Sequence, residues 1–364
     1  MNRIFSERII KWYNSNKRDL PWRNIKDPYR IWLSEIILQQ TRVEQGLPYY
    51  IRYVKEFPTV KHLAAASEEK VLKLWQGLGY YSRARNLHTT AKIIHQKFKG
   101  KFPDKYENIL QLKGVGEYTA AAIASFSFNL CYPVLDGNVY RVLSRVFGIK
   151  TPIDTAAGKN QFNTLAQRLI DKKNPAVYNQ AIMEFGAMHC KPQSPDCSDC
   201  CLNNMCYAYE KKSVESLPVK SKKIKQRSRF FNYLVIRNNK KLYIKKRTGN
   251  DIWKNLYDFP LIETDKLLPE EHLYELREWK NIFKKNKYAV TKICTLHKHV
   301  LSHQKIYARF FEVEMNCSLT FPKKGKKILS FLEKKHSAWK AVSESQLEKY
   351  AVPRLIDIYL KNRQ

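Results

Sequence analysis

No run of about 18 apolar residues occurs anywhere in this 364-residue chain, so no segment has the make-up of a transmembrane helix and no membrane partner is expected. The opening residues, MNRIFSERIIKWY, scatter charge through what would have to be the apolar core of a secretory signal, so none is expected. Internal repeats and low-complexity tracts are missing too, which excludes repeat architectures. Cysteine is sparse. Eight in a chain this long do not make a disulfide scaffold, and a metal role in a reducing compartment fits them better. Acidic residues are half as many as basic ones, 33 against 66, for a formal net charge of +33. Such an excess repels itself unless a polyanion neutralises it. Nucleic acid is the expected partner, although many of the lysines read as solvated surface.

Five of the eight cysteines crowd into residues 190–206. Cys190, Cys197, Cys200 and Cys206 are spaced C-x6-C-x2-C-x5-C. Thiolates are soft ligands that select zinc, copper(I) or iron–sulfur clusters. Structural zinc sites usually repeat a close pair, and gaps of six, two and five match no such repeat. A cubane cluster, whose four irons each take one thiolate, fits better. The plain alternative is a set of unligated thiols.

The length suggests two domains. Before the cysteines the apolar residues recur at helical spacing; from Phe230 the period becomes two. Residues 1–211 read as a helical domain that ends in the cysteine segment. Residues 212–229 read as a basic linker able to lie along a nucleic-acid backbone, and 230–364 as strands with a few helices. Asp27-Pro28 marks a helix start, with IWLSEIILQQT following. Helices are expected over 59–75 and 81–98, and a hairpin turn at Asn238-Asn239.

Two carboxylates stand out. Glu35 has Ile31, Trp32, Leu38 and Gln39 as helical neighbours. A carboxyl on so apolar a face is desolvated, which raises its pKa and suits a general acid near neutral pH. The plainer reading is a Glu reaching solvent from the edge of the stripe. Asp136 stands where an apolar run gives way to a new helix through Asp136-Gly137-Asn138. Its plainer use is as an N-cap, but the same amides and helix dipole favour the ionised form. Carboxyls driven apart in this way mark the acid and the base of sites that cleave glycosidic bonds.

Between the two lies a short helix to Leu112, a tight turn through Lys113-Gly114-Val115-Gly116, and a small-residue helix from about Glu117. Gly114 and Gly116 leave backbone N–H groups pointing outward, a site for a DNA phosphate that needs no base contact. In QGLGYY, Gly77 and Gly79 allow close backbone approach, and Tyr80 and Tyr81 have rings able to stack or wedge between bases; an ordinary helix connection is the plainer reading.

LKGVGEYTAAA, the downstream VLDGNV and the cysteine tail together resemble the helix-hairpin-helix DNA glycosylases that carry an iron–sulfur cluster. DLPWR, WLSEIILQQTRVE, GLGYYSRARN and the long C-terminal region narrow the resemblance to the MutY-type adenine DNA glycosylases, over essentially the whole chain. It implies a mostly α N-terminal region of the helix-hairpin-helix glycosylase fold with an iron–sulfur module, followed by an α+β Nudix-like domain. It implies removal of adenine mispaired with 8-oxoguanine or guanine in duplex DNA. A monomer in the bacterial cytoplasm, at the nucleoid, is the default expectation without a secretion or membrane signal. Glu35 then matches the acid that protonates adenine. Asp136 matches the carboxylate facing the sugar cation, supported by Tyr118 and Asn138. Gln40, Thr41, Leu78 and Tyr80 match the elements that wedge beside the lesion. Trp22, Arg23 and Leu38 match the adenine pocket wall, with Gln180 where some members carry a glutamate. Cys190, Cys197, Cys200 and Cys206 match the ligands of a 4Fe–4S cluster.

The chain also departs from that pattern. Leu301-Ser302-His303 replaces the usual Phe-Ser-His of the lesion-reading loop, so an aromatic contact is missing. Cys201 replaces a proline and is read as a non-ligand. The glutamate-rich hydrolase box of Nudix enzymes is missing, so no pyrophosphatase activity is expected. The related endonuclease III-type glycosylase–lyases carry a lysine where this chain has Tyr118. A phenol forms no Schiff base, so a monofunctional enzyme is expected. The rival readings are that bifunctional enzyme acting on oxidised pyrimidines, and a damage sensor without catalysis.

Overall fold

The computed structural model describes residues 2–221, 226–283, 287–315 and 339–362. Its chain sorts into two units, residues 1–66 with 86–223, and residues 67–85 with 224–364.

The first unit is helical. Helix α1 (Asn2–Asn16) turns Phe5, Ile9 and Tyr13, four residues apart, into the core, where it meets the helix of residues 175–188. Helix α2 (Pro28–Leu38) starts as the sequence suggests: Asp27 accepts from the N–H groups of Tyr29 and Arg30, and Pro28 holds the first position. Its residues 31–37 are all buried, as is Tyr29. Helix α3 is Val43–Glu56. The stretch expected as one helix over 59–75 is two, α4 (Val60–Ala65) and α5 (Glu68–Leu74). Ser67 breaks it by capping Lys70 N–H, as its hydroxyl competes with helix continuation. Helix α5 then falls in the second unit.

Helices α6 (Ser82–Lys97) and α7 (Tyr106–Leu110) lead to the glycine turn and α8 (Glu117–Phe128). Gly114 has φ +81°, and a Cβ there would lie 2.7 Å from Asn86 Cβ, so both the backbone and the packing demand glycine. Alanines 120–122 and 124 line α8, and their small size lets α2 pack closely on it. Helix α9 (Gly137–Phe147) is capped by Asp136 and stops at Gly148. Helices α10 (Ala156–Leu169), α11 (Pro175–Met188) and α12 (Tyr207–Glu210) complete the unit. The start of the expected linker is not loose: Arg145 Nε donates to the carbonyls of Val214 and Leu217, and Ile153 N–H to that of Val219.

In the second unit a mixed eight-stranded sheet runs in the order β3-β2-β1-β7-β5, with β4 on β1, β6 on β7 and β8 on β2. Strand β1 (Arg227–Asn238) lies parallel to β7 (Gln304–Met315), and the other pairs are antiparallel. The expected hairpin forms between β1 and β2 (Lys241–Lys246), but Asn238 already pairs with Lys241. The turn is therefore Asn239-Lys240, with φ +48° and +62°, the left-handed pair that a two-residue hairpin requires. Strands β3 (Tyr257–Asp258), β4 (Leu261–Thr264), β5 (Tyr288–Ile293), β6 (His297–Val300) and β8 (Trp339–Ser343) fill out the sheet. Leu234, Ile236, Phe311 and Val313 form its core with Trp279 and Phe283 of helix Arg277–Phe283. Among the described residues, no helix is long and apolar enough to cross a membrane.

Candidate active site

Glu35 sits inside α2 and is 7% exposed. Burial pushes its carboxyl up to about 7, against a hydrogen bond from Tyr118 that pulls it down. Tyr118 lies on the first turn of α8 and donates its hydroxyl hydrogen to Glu35 Oε2 at 2.9 Å. Burial and the adjacent carboxylates raise the Tyr118 phenol well above its ordinary range, so it stays a donor. Asp136 is the N-cap of α9, which is the plain reading of its position. Its Oδ1 accepts from Asn138 N and Val139 N at 2.9 and 2.8 Å, and its Oδ2 from Asn138 Nδ2 at 2.8 Å.

Here the expectation needs correction. Burial raises Asp136 as well, outweighing those donors, so the two carboxyls are not driven in opposite directions. Their surroundings still differ. Asp136 accepts three hydrogen bonds where Glu35 accepts one from Tyr118. Arg141 extends the support. Its Nη2 donates to Asn138 Oδ1 at 2.9 Å and to the Gly186 carbonyl at 2.6 Å, and its Nε to the Cys190 carbonyl. A Cβ at Gly186 would come within 2.7 Å of Asn138 Cβ, so glycine there lets α11 approach this cap.

Glu35, Tyr118, Asp136 and Asn138 line one cavity of about 180 Å³. Trp22, Arg23, Leu38 and Gln180 wall the same cavity, so the sequence-derived set converges. Gln40 and Thr41 border an adjoining groove that shares Glu35, Tyr118, Asp136 and Asn138. Gln40 is exposed with φ +54°. Gly116 is the N-cap residue of α8, and nothing lies within 4 Å of where its Cβ would be.

Two charged residues of this cavity went unseen in the sequence, Arg18 and Glu184. Glu184 is buried in α11, and its oxygens accept from Arg18 N, Nε and Nη2 and from Arg23 Nη2 at 2.6–3.0 Å. Burial alone would raise Glu184, but these bonds prevail and hold it at about 2. A signal existed: Glu184 is the only charged residue in PAVYNQAIMEFGAM.

Leu78, Tyr80 and Leu301-Ser302-His303 belong to the second unit. Leu78 is buried, 4% exposed, so it is not presented as a wedge, whereas Tyr80 is 41% exposed with φ +46°. The Tyr80 hydroxyl lies 2.7 Å from Ser302 Oγ. Gln226 Nε2 donates to the Leu301 carbonyl and Arg227 N to that of His303, which pins the loop at both ends.

Cys190, Cys197, Cys200 and Cys206 line one small cavity after α11. Among the described residues, no three of His, Cys, Asp and Glu converge tightly enough to hold a single metal ion. Burial raises the thiols of Cys190, Cys197 and Cys206; that of Cys200 is raised first by its hydrogen bond with Cys201 and then by burial. Four such thiols ionise together only against strong positive charge. Donors toward sulfur are present: Arg145 Nη1 to Cys190 Sγ and Leu202 N–H to Cys200 Sγ, both at 3.4 Å. An all-sulfur set spread around a shared cavity suits a multi-iron cluster. Cys201 is not among the lining residues.

The helical unit with its glycine turn, and the buried acid facing a capped carboxylate, define a base-excision DNA glycosylase. Residues 33–168 match the HhH-GPD superfamily of base excision DNA repair proteins, and 232–362 match the NUDIX domain. The adenine DNA glycosylase of Buchnera aphidicola subsp. Acyrthosiphon pisum is 38% identical, covering 76% of this chain and 78% of that protein. That of Buchnera aphidicola subsp. Schizaphis graminum is 36% identical over 84% and 85%. The human adenine DNA glycosylase is 42% identical over 58% of this chain and 41% of its own length. A thermostable thymine-DNA glycosylase structure superposes with a TM-score of 0.54 at 28% identity, over 58% of this chain and 97% of that one. The chain belongs to the adenine DNA glycosylase family.

Proposed function

We propose that this enzyme removes adenine mispaired with 8-oxoguanine, or with guanine, from duplex DNA and leaves an abasic site. The observation that carries the reading is the single cavity lined by Glu35, Tyr118, Asp136 and Asn138. A glycosidic bond is unreachable inside the base stack, so the nucleotide is first extruded. Adenine leaves poorly until a ring nitrogen is protonated, and Glu35, with a carboxyl raised to about 7, is the proton donor. Tyr118 holds the Glu35 carboxyl by its hydrogen bond. Of the two carboxyls, Asp136 starts from the lower ordinary value and accepts more hydrogen bonds, so it is the one to carry charge. Fixed negative charge beside the developing sugar cation is the largest expected contribution to rate. Asn138 keeps Asp136 oriented. Water then completes hydrolysis.

Trp22, Arg23, Leu38 and Gln180 enclose the base. Gln40, Thr41 and Tyr80 meet the duplex beside the lesion. Gly114 and Gly116 take a backbone phosphate, and Leu301, Ser302 and His303 read 8-oxoguanine. Cys190, Cys197, Cys200 and Cys206 hold a 4Fe–4S cluster, which when bound supplies a structural cross-link. With Tyr118 in place of an amine nucleophile, no covalent imine forms and no strand cleavage accompanies base loss. The test is a single-turnover assay on an A:8-oxoguanine duplex. Strand scission only after hot alkali supports the reading. Scission without alkali, with borohydride trapping an adduct, rejects monofunctional action. No abasic product at all rejects the reading.

A further inference from the structure

Tyr13 of α1 does not line the cavity, yet it touches what does. It is buried, 3% exposed, and its hydroxyl donates to Gln180 Oε1 at 2.8 Å. Its ring also carries the Arg23 guanidinium, 5.5 Å from the centroid. The Arg23 guanidinium also bonds the phenol, but a guanidinium can only donate, so the Tyr13 proton goes to Gln180 Oε1. The Gln180 oxygen is thereby turned toward Tyr13, which lies outside the cavity lining, and its Nε2 has no partner among the described residues. One turn along α11, Glu184 is saturated by four N–H groups of Arg18 and Arg23. At this end of the cavity the Glu184 carboxylate is therefore fully occupied, and the Gln180 oxygen is committed to Tyr13, before any base arrives.

We propose that Tyr13 is a positioning residue for base selection: by holding Gln180 Oε1 it makes Gln180 present N–H, and no acceptor, to the extruded base. The base recognised is then one that offers an unprotonated ring nitrogen, and its exocyclic amine finds no partner in Gln180. The inference rests on the adenine-removal reading. It deepens that reading by stating which polarity of hydrogen bond the pocket imposes, and which residue outside the pocket imposes it.

The test is a double-mutant cycle in the full chain, read as single-turnover base release from an adenine-containing duplex. Tyr13→Phe is expected to slow release about tenfold, Gln180→Ala by a similar factor, and the pair no more than Gln180→Ala alone, since Tyr13 acts only through Gln180. A Tyr13→Phe loss that persists in full on the Gln180→Ala background, or no loss at all, overturns the proposal. Should Tyr13→Phe fail to fold by thermal melting, Gln180→Glu decides. It keeps the Tyr13 bond but offers the base an acceptor. Its preference for adenine over unsubstituted purine, measured with duplexes carrying either base, is expected to rise about tenfold above that of the unmutated chain. An unchanged preference overturns the proposal. Failure of the unmutated chain to release adenine would instead reject the functional reading.

Discussion

Tyr118 and Glu35 are joined by a 2.9 Å hydrogen bond in which the phenol is the donor. That bond lowers a carboxyl that burial raises, and the balance leaves Glu35 at about 7. The protonated form is the working one, so base release should fall as pH rises through about 7. Tyr118→Phe removes the lowering partner. Its rate is expected to drop about tenfold, a hydrogen bond's worth, while the alkaline limb moves to higher pH. Single-turnover pH profiles read both; a limb that stays put or moves down rules out Glu35 as the titrating acid.

The same burial costs stability. Glu35 binds its proton more tightly folded than unfolded, so its contribution is full below the ordinary carboxyl range and is lost as pH rises through about 7. Glu35→Gln should therefore melt with the unmutated chain near about pH 4 and above it near about pH 8, by up to about 3 kcal/mol. Equal melting at both values would mean that the carboxyl reaches water.

Asp136 serves two purposes that one substitution separates. As N-cap it holds Asn138 N and Val139 N, and asparagine caps nearly as well as aspartate. Asp136→Asn should keep the stability within about 1 kcal/mol and keep duplex affinity. It should cut base release by at least about 10²–10³-fold, because the charge is gone and with it the bond from Asn138 Nδ2. Loss of duplex binding instead would reduce Asp136 to a cap.

Much of this site was readable before any coordinates, because its residues sit where local rules leave a mark. Asp27-Pro28 and Asp136-Gly137-Asn138 announce helix starts through capping, and both do so here. Glu35 betrays itself by its apolar neighbours. Arg18 and Glu184 stayed hidden, since their bond spans 166 residues and no local rule reports it. The assignment of α5 and residues up to 85 to the second unit was equally invisible. It rests on side chains such as Glu69, which accepts from Tyr257 and Lys246. Leu78 shows the opposite error: the family resemblance implies a wedge there, but burial depends on what folds over it. The direction in which Asp136 is shifted was misjudged because counting donors does not weigh desolvation.

Glu184 makes a sharper prediction about stability than about rate. It is 1% exposed at the side chain and neutralises two guanidiniums. Glu184→Gln leaves both cations facing a neutral amide and should destabilise by about 3–5 kcal/mol at neutral pH. The folded carboxyl is held at about 2, so its stabilisation is present above the unfolded value and drains away as pH falls toward about 2. Thermal melts should show that acid-side loss in the unmutated chain and a shallower one in the variant. Parallel acid limbs would show that the ion pairs contribute nothing.

Tyr80 and Ser302 meet at 2.7 Å, in one unit, although 222 residues separate them. The contact ties the exposed ring to the loop of Leu301-Ser302-His303. Ser302→Ala should narrow the preference for A:8-oxoguanine over A:G by about 3–10-fold, the range of one hydrogen bond, and leave A:G release unchanged. Equal slowing on both duplexes would place the contact in general DNA binding rather than in lesion reading.

Cys200 and Cys201 are adjacent thiols with opposite surroundings. Cys200 lines the cavity shared with Cys190, Cys197 and Cys206, and Cys201 is absent from that lining. The hydrogen bond between them raises Cys200 and lowers Cys201, so Cys201 is the easier to ionise in isolation. Ionisation ease and placement thus point to different ligands. Placement should decide, because a cluster bound by buried thiolates supplies the charge that ionises them. Cys201→Ser is expected to retain the iron and acid-labile sulfide content of the unmutated chain, and Cys200→Ser to lose most of both. The reverse pattern would make Cys201 the ligand and Cys200 the bystander.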